Sequence, residues 1–295
     1  VKPPPFEYHA PEALPGALDL LARFGDEAKV LAGGQSLMPL LNLRLARPAN
    51  LVDINPVEPE LGFIDVSSRD GGLRLGGLVR QRAAERSDLV RERNPLLAEA
   101  LPLVGHPQIR NRGTIGGSLA HADPASELPA VVTLLDAELV ARSARGERTL
   151  RADEFFVSYF TTRLEPDELL TEVRLPAWPA AAGWAFLEVS RRHGDFAMVG
   201  VASLVRLGSD GSIAEARLAY TGVGATPVRA REAERGLVGQ PATEDTFAAA
   251  AERAVQALDP QADVHATAAY RRHVAGVLTR RALARAVERA QGGAA

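Results

Sequence analysis

The sequence predicts an α+β protein of two domains, and three observations support that class. A strand, an amphipathic helix and a second strand follow one another within the first 55 residues, as in a β-α-β unit. Beyond Pro176 the pattern changes to three long strands separated by turn residues, with two amphipathic helices after them. Between these regions, residues 177–183 hold Pro179 and four alanines, the composition of a boundary. A chain of 295 residues is long enough for more than one core. The expected division is 1–176, with subdomains of about 1–55 and 56–176, and then 177–291.

Each element follows from local pattern. Lys2 and three prolines lead into a short strand over 6–9. Leu14, Leu18 and Leu21 recur on one helical face, so 11–24 is predicted helical and Gly25 ends it. Residues 28–32 form a buried strand that delivers Gly33 and Gly34. A short helix over 38–45 is closed by Pro48, and 51–54 is the next strand. Residues 61–66 and 73–78 flank Arg69-Asp70-Gly71-Gly72 and read as a hairpin. Helices are expected over 81–93, 95–104 and 127–135, with a loop at 110–118. Residues 138–142 and 146–150 make a second hairpin, and 168–175 is a strand stopped by Pro176. In the last region strands cover 185–189, 197–207 and 213–222. Helices then cover 243–258 and 266–289, and Gly292 and Gly293 begin a frayed tail.

Composition removes several function classes. A net charge of −3 and a pI near 6.1 leave no basic footprint for nucleic acid. The chain has no cysteine, which excludes disulfides, thiolate-held zinc and cysteine-ligated iron–sulfur clusters within it. Redox chemistry here needs an organic cofactor. No apolar run is long enough to span a bilayer and no leader pattern opens the chain, so no transmembrane segment and a cytoplasmic location are expected.

Two glycine turns stand out. Val30 to Ser36 reads VLAGGQS, and Arg110 to Pro129 reads RNRGTIGGSLAHADPASELP. Glycine permits positive φ and close approach of a ligand, and successive backbone N–H groups can then converge on an anion. Two such turns about eighty residues apart suit a ligand with a diphosphate in its middle. Neither matches a Walker loop or a GxGxxG fingerprint. A Gly-Gly pair is also a simple turn, and Asp123 ahead of Pro124 is equally an Asx turn or a ligand contact. His121 reads as a loop hydrogen-bonder, while His106 and His193 lack metal-ligand spacing, so no metal site is predicted. No acid, base or nucleophile constellation is visible, and no catalytic residue is assigned. Arg191 and Arg192 read as structural or interface residues, and the arginines from 271 to 289 as a solvated helix face.

In these segments the chain resembles the FAD-binding medium subunit of the molybdenum hydroxylases, the family of aerobic carbon monoxide dehydrogenase and xanthine dehydrogenase. The resemblance runs through Ala32-Gly33-Gly34-Gln35-Ser36 and Thr114-Ile115-Gly116-Gly117-Ser118. It continues through Asp123-Pro124-Ala125-Ser126-Glu127 and Glu168-Leu169-Leu170-Thr171-Glu172-Val173. It ends in Arg191-Arg192-His193-Gly194-Asp195-Phe196-Ala197, so that nearly the whole chain is covered in order.

The resemblance implies a fold of the vanillyl-alcohol-oxidase (PCMH) type. Two α/β subdomains would hold FAD between them, followed by a three-stranded antiparallel sheet with a helical bundle. It implies that the amides of both turns contact the pyrophosphate, with Ser36, Thr114 and Ser118 hydroxyls adding bonds. The implied cofactor set is Ala32, Gly33, Gly34, Gln35, Ser36 and Leu37, then Ile109, Thr114, Gly116, Gly117, Ser118 and Asp123. Glu127 would bond ribityl or ribose hydroxyls, Leu169 and Leu170 would lie against the isoalloxazine ring, and Asp195 would approach its exposed edge.

Some relatives carry a lysine in the strand before Arg191, where this chain has Leu187. A cation there would stabilise reduced flavin, so its absence leaves the acceptor open among pyridine nucleotide, oxygen, quinone or another carrier. The implied partners are a large molybdenum-cofactor subunit and a small subunit with two [2Fe–2S] clusters, assembled as a dimer of heterotrimers. Electrons would pass from the clusters through FAD to an external acceptor. The alternatives are a stand-alone FAD-dependent reductase and a flavin-free scaffold subunit.

Overall fold

The computed structural model describes residues 2–292, so Gly293 of the expected tail lies outside the described residues. Its first layer is the β-α-β unit. The strands Glu7–His9, Asn50–Asp53 and Ala28–Leu31 pair in that order, all parallel. The helix Leu14–Phe24 crosses between them and buries Leu14, Ala17, Leu18 and Leu21. Pro15 sits in its first turn, where a missing N–H costs nothing, and Gly25 closes it at φ +49°. The helix Leu37–Asn42 begins directly after the first glycine turn.

The middle sheet has five antiparallel strands in the order Ile64–Val66, Leu73–Gly76, Leu169–Leu175, Glu138–Ser143 and Gly146–Arg151. Its central strand, Leu169–Leu175, arrives last in sequence and is buried along nearly its whole length. All eight residues of the helix Glu127–Leu134 are buried, since it packs on other elements all round.

The third sheet is antiparallel and joins Gly183–Val189, Val199–Leu207, Ile213–Thr221 and Val228–Arg229. Successive side chains on its strands alternate between two cores. Phe186, Ala202, Leu204 and Ala219 enter the core of the first half. Ala185, Val199, Val201, Val205, Leu218 and Tyr220 face the helices Glu244–Gln256 and Ala268–Ala290. The sheet therefore carries two apolar faces, one to each side.

Four expectations are corrected. The predicted helix over 81–93 is two helices, Gln81–Arg86 and Asp88–Arg93, because the Ser87 hydroxyl accepts from the Val90 N–H and starts a new one. The loop expected at 110–118 contains the start of a helix, Ile115–His121, which includes Gly116 and Gly117. The last sheet has a fourth, two-residue strand, so it is not three-stranded. A third helix, Arg231–Leu237, also precedes the two that were expected. These pieces are too short to leave a periodic pattern.

A buried side-chain pair joins the last sheet to the longest helix: the Tyr220 hydroxyl and Thr279 Oγ1 lie 2.7 Å apart with both residues inaccessible. Thr279→Val keeps the shape but leaves the Tyr220 hydroxyl unpaired. The expected loss is about 1–3 kcal/mol, read as a lower urea midpoint at unchanged slope. An unmoved midpoint would show that the pair contributes nothing.

Candidate functional site

The two glycine turns meet. Gly33 lies so close to the second segment that a Cβ on it would collide with the Arg112 carbonyl oxygen and come within 2.7 Å of Gly113 Cα. A Cβ on Gly117 would lie 3.9 Å from Ala32 Cβ. Within the first turn Gly34 has φ +74°, a region other residues enter only with strain. Among the described residues, the amides of Gly33, Gly34, Gln35 and Ser36 find no acceptor in the chain. Gln35 instead folds its side-chain amide back onto the Gly33 carbonyl, 3.1 Å away. Four consecutive free N–H groups on a positive-φ turn form a concave donor array for an anion.

The second turn differs from expectation. Its amides are used within the chain: Ile115 donates to Val79, Gly116 to Gly77, Gly117 to Thr114 Oγ1 and Ser118 to the Thr114 carbonyl. Thr114 is thus the N-cap of the helix Ile115–His121, and among the described residues its own N–H and its hydroxyl proton are left to donate. The glycines serve packing. A Cβ on Gly116 would stand 2.6 Å from the Gly77 carbonyl oxygen, and one on Gly77 would collide with the Leu170 carbonyl oxygen. The backbones of three segments stack here with no side chain between them.

Two residues absent from the sequence reading stitch the turns together. Asn55 donates to the Ala32 carbonyl at 2.9 Å, and Arg80 donates to Asn55 Oδ1 at 2.6 Å and to the Arg112 carbonyl at 2.7 Å. Both acceptors of the Arg80 guanidinium are neutral. Burial lowers the pKa of Arg80, and the nearby positive charge of Arg112 lowers it further. The charges of Arg80 and Arg112 thus sit beside the first turn, with the Glu58 and Asp53 carboxylates close enough to act on Arg80 as well. Nothing in the local sequence marks Asn55 or Arg80, because their partners lie 23 to 32 residues away.

The remaining expected residues fall into three groups. Leu37 and Ile109 are half-buried beside the turns, and Arg110, paired with Glu85, braces the short helix Pro107–Arg110 that carries Ile109. Asp123 and Glu127 lie past the end of the helix Ile115–His121. Asp123 makes the Asx turn, its Oδ1 accepting from the Ala125 N–H at 2.9 Å. Leu169 and Leu170 are core residues, 6% and 4% exposed, so only their fringes are open to a ligand. Asp195 is exposed on a turn whose Gly194 has φ +88° and rests on the His106 ring. Among the described residues its carboxylate makes no capping bond. His121 stacks at an angle on Phe160, with ring centroids 5.1 Å apart, and burial lowers its pKa.

Comparisons with known proteins identify the family. Residues 4–178 match the family model of the FAD binding domain in molybdopterin dehydrogenase. Residues 184–286 match that of the CO dehydrogenase flavoprotein C-terminal domain. This chain belongs to the FAD-binding medium subunits of the molybdenum hydroxylases. It is 46% identical to the 6-hydroxypseudooxynicotine dehydrogenase complex subunit alpha of Paenarthrobacter nicotinovorans, over 99% of this chain and 97% of that one. It is 44% identical to the caffeine dehydrogenase subunit beta of a Pseudomonas strain, over 98% and 97%. Its fold superimposes on a chain of carbon monoxide dehydrogenase from Hydrogenophaga pseudoflava with a TM-score of 0.94, at 40% identity and 98% and 99% coverage. The family's FAD-binding domain makes FAD the cofactor and the chain an oxidoreductase subunit.

The residues present fit that cofactor. The FAD pyrophosphate is an anion with several acceptor oxygens, and the free amides with the neighbouring arginines supply donors and positive charge. Two cavities lie elsewhere. One of about 260 Å³ is lined by Glu244, Arg280 and Arg281, and one of about 170 Å³ by Thr133, Arg229 and Arg231. They are compact, whereas FAD is long, and neither touches the turns.

The acidic end of the site is unusual. Burial pushes the Glu127 carboxyl up to about 8, with the Glu188 charge adding to it, and burial pushes Glu188 up to about 7. Asp123 is raised as well, again mainly by burial. Glu188 was not foreseen; the lysine position of some relatives, Leu187, packs instead with the helical layer on the opposite face. A carboxyl whose folded pKa exceeds its unfolded value favours folding fully below the unfolded value and loses that effect as pH rises through the folded one. The flavin-free chain should therefore lose stability between about pH 5 and 8, by on the order of a few kcal/mol. Glu127→Gln should flatten that slope. Urea midpoints that run parallel for both proteins across this range would contradict the assignment.

Proposed function

We propose that this subunit carries electrons and makes or breaks no substrate bonds. Bound FAD would accept electrons from iron–sulfur clusters on a partner and release them to an external acceptor. The absence of any cysteine supports placing the clusters on another chain. That the relatives are medium chains and complex subunits supports a large and a small partner, in a dimer of heterotrimers that we place in the cytoplasm. The same reading divides the chain at 177–183. The two family models, which meet between 178 and 184, support that division.

One observation carries the cofactor assignment: four free amides on the positive-φ turn at the contact of the two glycine segments. In this reading Gly33 to Ser36 bind the pyrophosphate through their main chain, while Thr114 and Ser118 add hydroxyl donors. Arg80 holds the two turns in register and brings positive charge. Asp123 and Glu127 take the hydroxyl-bearing part of the cofactor, and Ala32, Leu37, Ile109, Gly116, Gly117, Leu169 and Leu170 shape the walls.

Gly34→Val tests it. The new side chain meets an unfavourable φ and crowds Leu31 and Met38, which stand 3.2 Å from a Cβ at that point. The variant complex should be isolated with its partners but with less than a tenth of the wild-type FAD. Stoichiometric FAD in the variant would remove the pyrophosphate assignment.

Asp195 gives a second test. An exposed carboxylate near the ring disfavours an anionic reduced flavin, by about 1 kcal/mol at ~4 Å in a water-like dielectric. Asp195→Asn should therefore raise the two-electron potential by roughly 20 mV and alter acceptor turnover, with substrate oxidation on the partner unchanged. An unchanged potential and unchanged acceptor kinetics would take this turn out of the site.

A further inference from the structure

The last sheet directs one row of residues at the acidic end of the site. Glu188, Gly200 and Thr221 are cross-strand neighbours. They share the face that sends Phe186, Ala202, Leu204 and Ala219 into the first half's core. Thr221 anchors the row: its hydroxyl lies 2.7 Å from both the Pro124 and Ser126 carbonyl oxygens, and the Gly222 N–H also donates to Pro124. This clamp fixes the segment that opens the helix beginning at Glu127. Gly200 keeps the middle of the row low, since a Cβ there would lie 2.5 Å from Thr221 Cγ2 and 3.7 Å from Glu188 Cβ.

Glu188 occupies the end of this row, near enough to Glu127 for its charge to be felt there. Its Oε2 is buried and, among the described residues, has no hydrogen-bond partner. Buried acceptors are nearly always satisfied, so one left open at a ligand site points to a donor that comes with the ligand. The neighbouring charged groups do not supply one. Asp123 is itself acidic, and Arg110 is engaged by Glu85 and by the Val104 and Gly105 carbonyls.

The acidic end is separated from the second glycine turn by the helix Ile115–His121, a rise of about 10 Å. That separation suits the ribityl chain and not the pyrophosphate. We propose that Glu188 is an FAD-positioning residue, its carboxyl taking a hydrogen bond from a ribityl hydroxyl alongside Glu127. The inference rests on the pyrophosphate reading of the glycine turns. It adds a residue from the last sheet to a site otherwise built by the first half, so that the sheet fixes the cofactor directly.

The test uses the full chain stripped of flavin and titrated with FAD and with ADP, which carries a diphosphate but no ribityl chain. Glu188→Ala should weaken FAD about tenfold and leave ADP affinity within twofold. Glu188→Gln, which keeps an acceptor oxygen, should stay within threefold of wild type for FAD. The stripped Ala variant should melt at or above the wild-type temperature, since an unsatisfied buried group has been removed. Equal FAD affinity in wild type and Glu188→Ala would overturn the proposal. So would a parallel loss of FAD and ADP binding with a lower melting temperature, which is the mark of a structural role. Failure of the underlying reading shows separately, as FAD retained by the Gly34→Val chain, and would take this inference with it.

Discussion

The architecture depends on a close approach of main chain to main chain. Gly33 packs against Arg112 and Gly113 with no room for a Cβ, and Gly116, Gly77 and the Leu170 carbonyl stack the same way. Such contacts tolerate no side chain, so the β-α-β unit and the middle sheet can meet here only through glycine. The contact also brings a row of free donors next to a rigid floor. Polar main chain that is left unpaired and semi-enclosed is costly without a partner, and an anionic cofactor supplies one.

The two turns, similar in sequence, have different physical tasks. The first leaves its amides free because the chain enters it from a strand and passes through a left-handed glycine before its helix starts. The second closes the amides of Ile115 to Ser118, through Thr114 as a cap and through the carbonyls of Gly77 and Val79. One turn is a donor array and the other is mainly a wall. Arg80 and Asn55 fix the distance between them, and the guanidinium hydrogen-bonds only neutral acceptors.

The last sheet works on two sides because side chains alternate along its strands. Residues one apart serve different cores, which is why Leu187 belongs to the helical layer and Glu188 to the side of Glu127. Carboxyls raised by burial and lacking cationic partners are costly to an empty chain. They gather at the end of the site where a neutral, hydroxyl-rich part of a ligand would need acceptors.

The sequence by itself determined the elements with a clear period, such as the Leu14–Phe24 helix and the long strands of the last sheet. It also determined the two glycine turns and, through their motifs, the family and the cofactor. These are local properties: a helical stripe, an alternation or a Gly-Gly pair is complete within a few residues. Only the tertiary structure decided which turn keeps its amides free, that Arg80 and Asn55 join the turns, and which residue of the Phe186–Glu188 stretch faces the site. Each of those depends on a partner tens of residues away, or on the one-residue phase of a strand within its sheet. A hydrogen bond or a buried charge is a property of the pair, and the second member of the pair is placed by the fold.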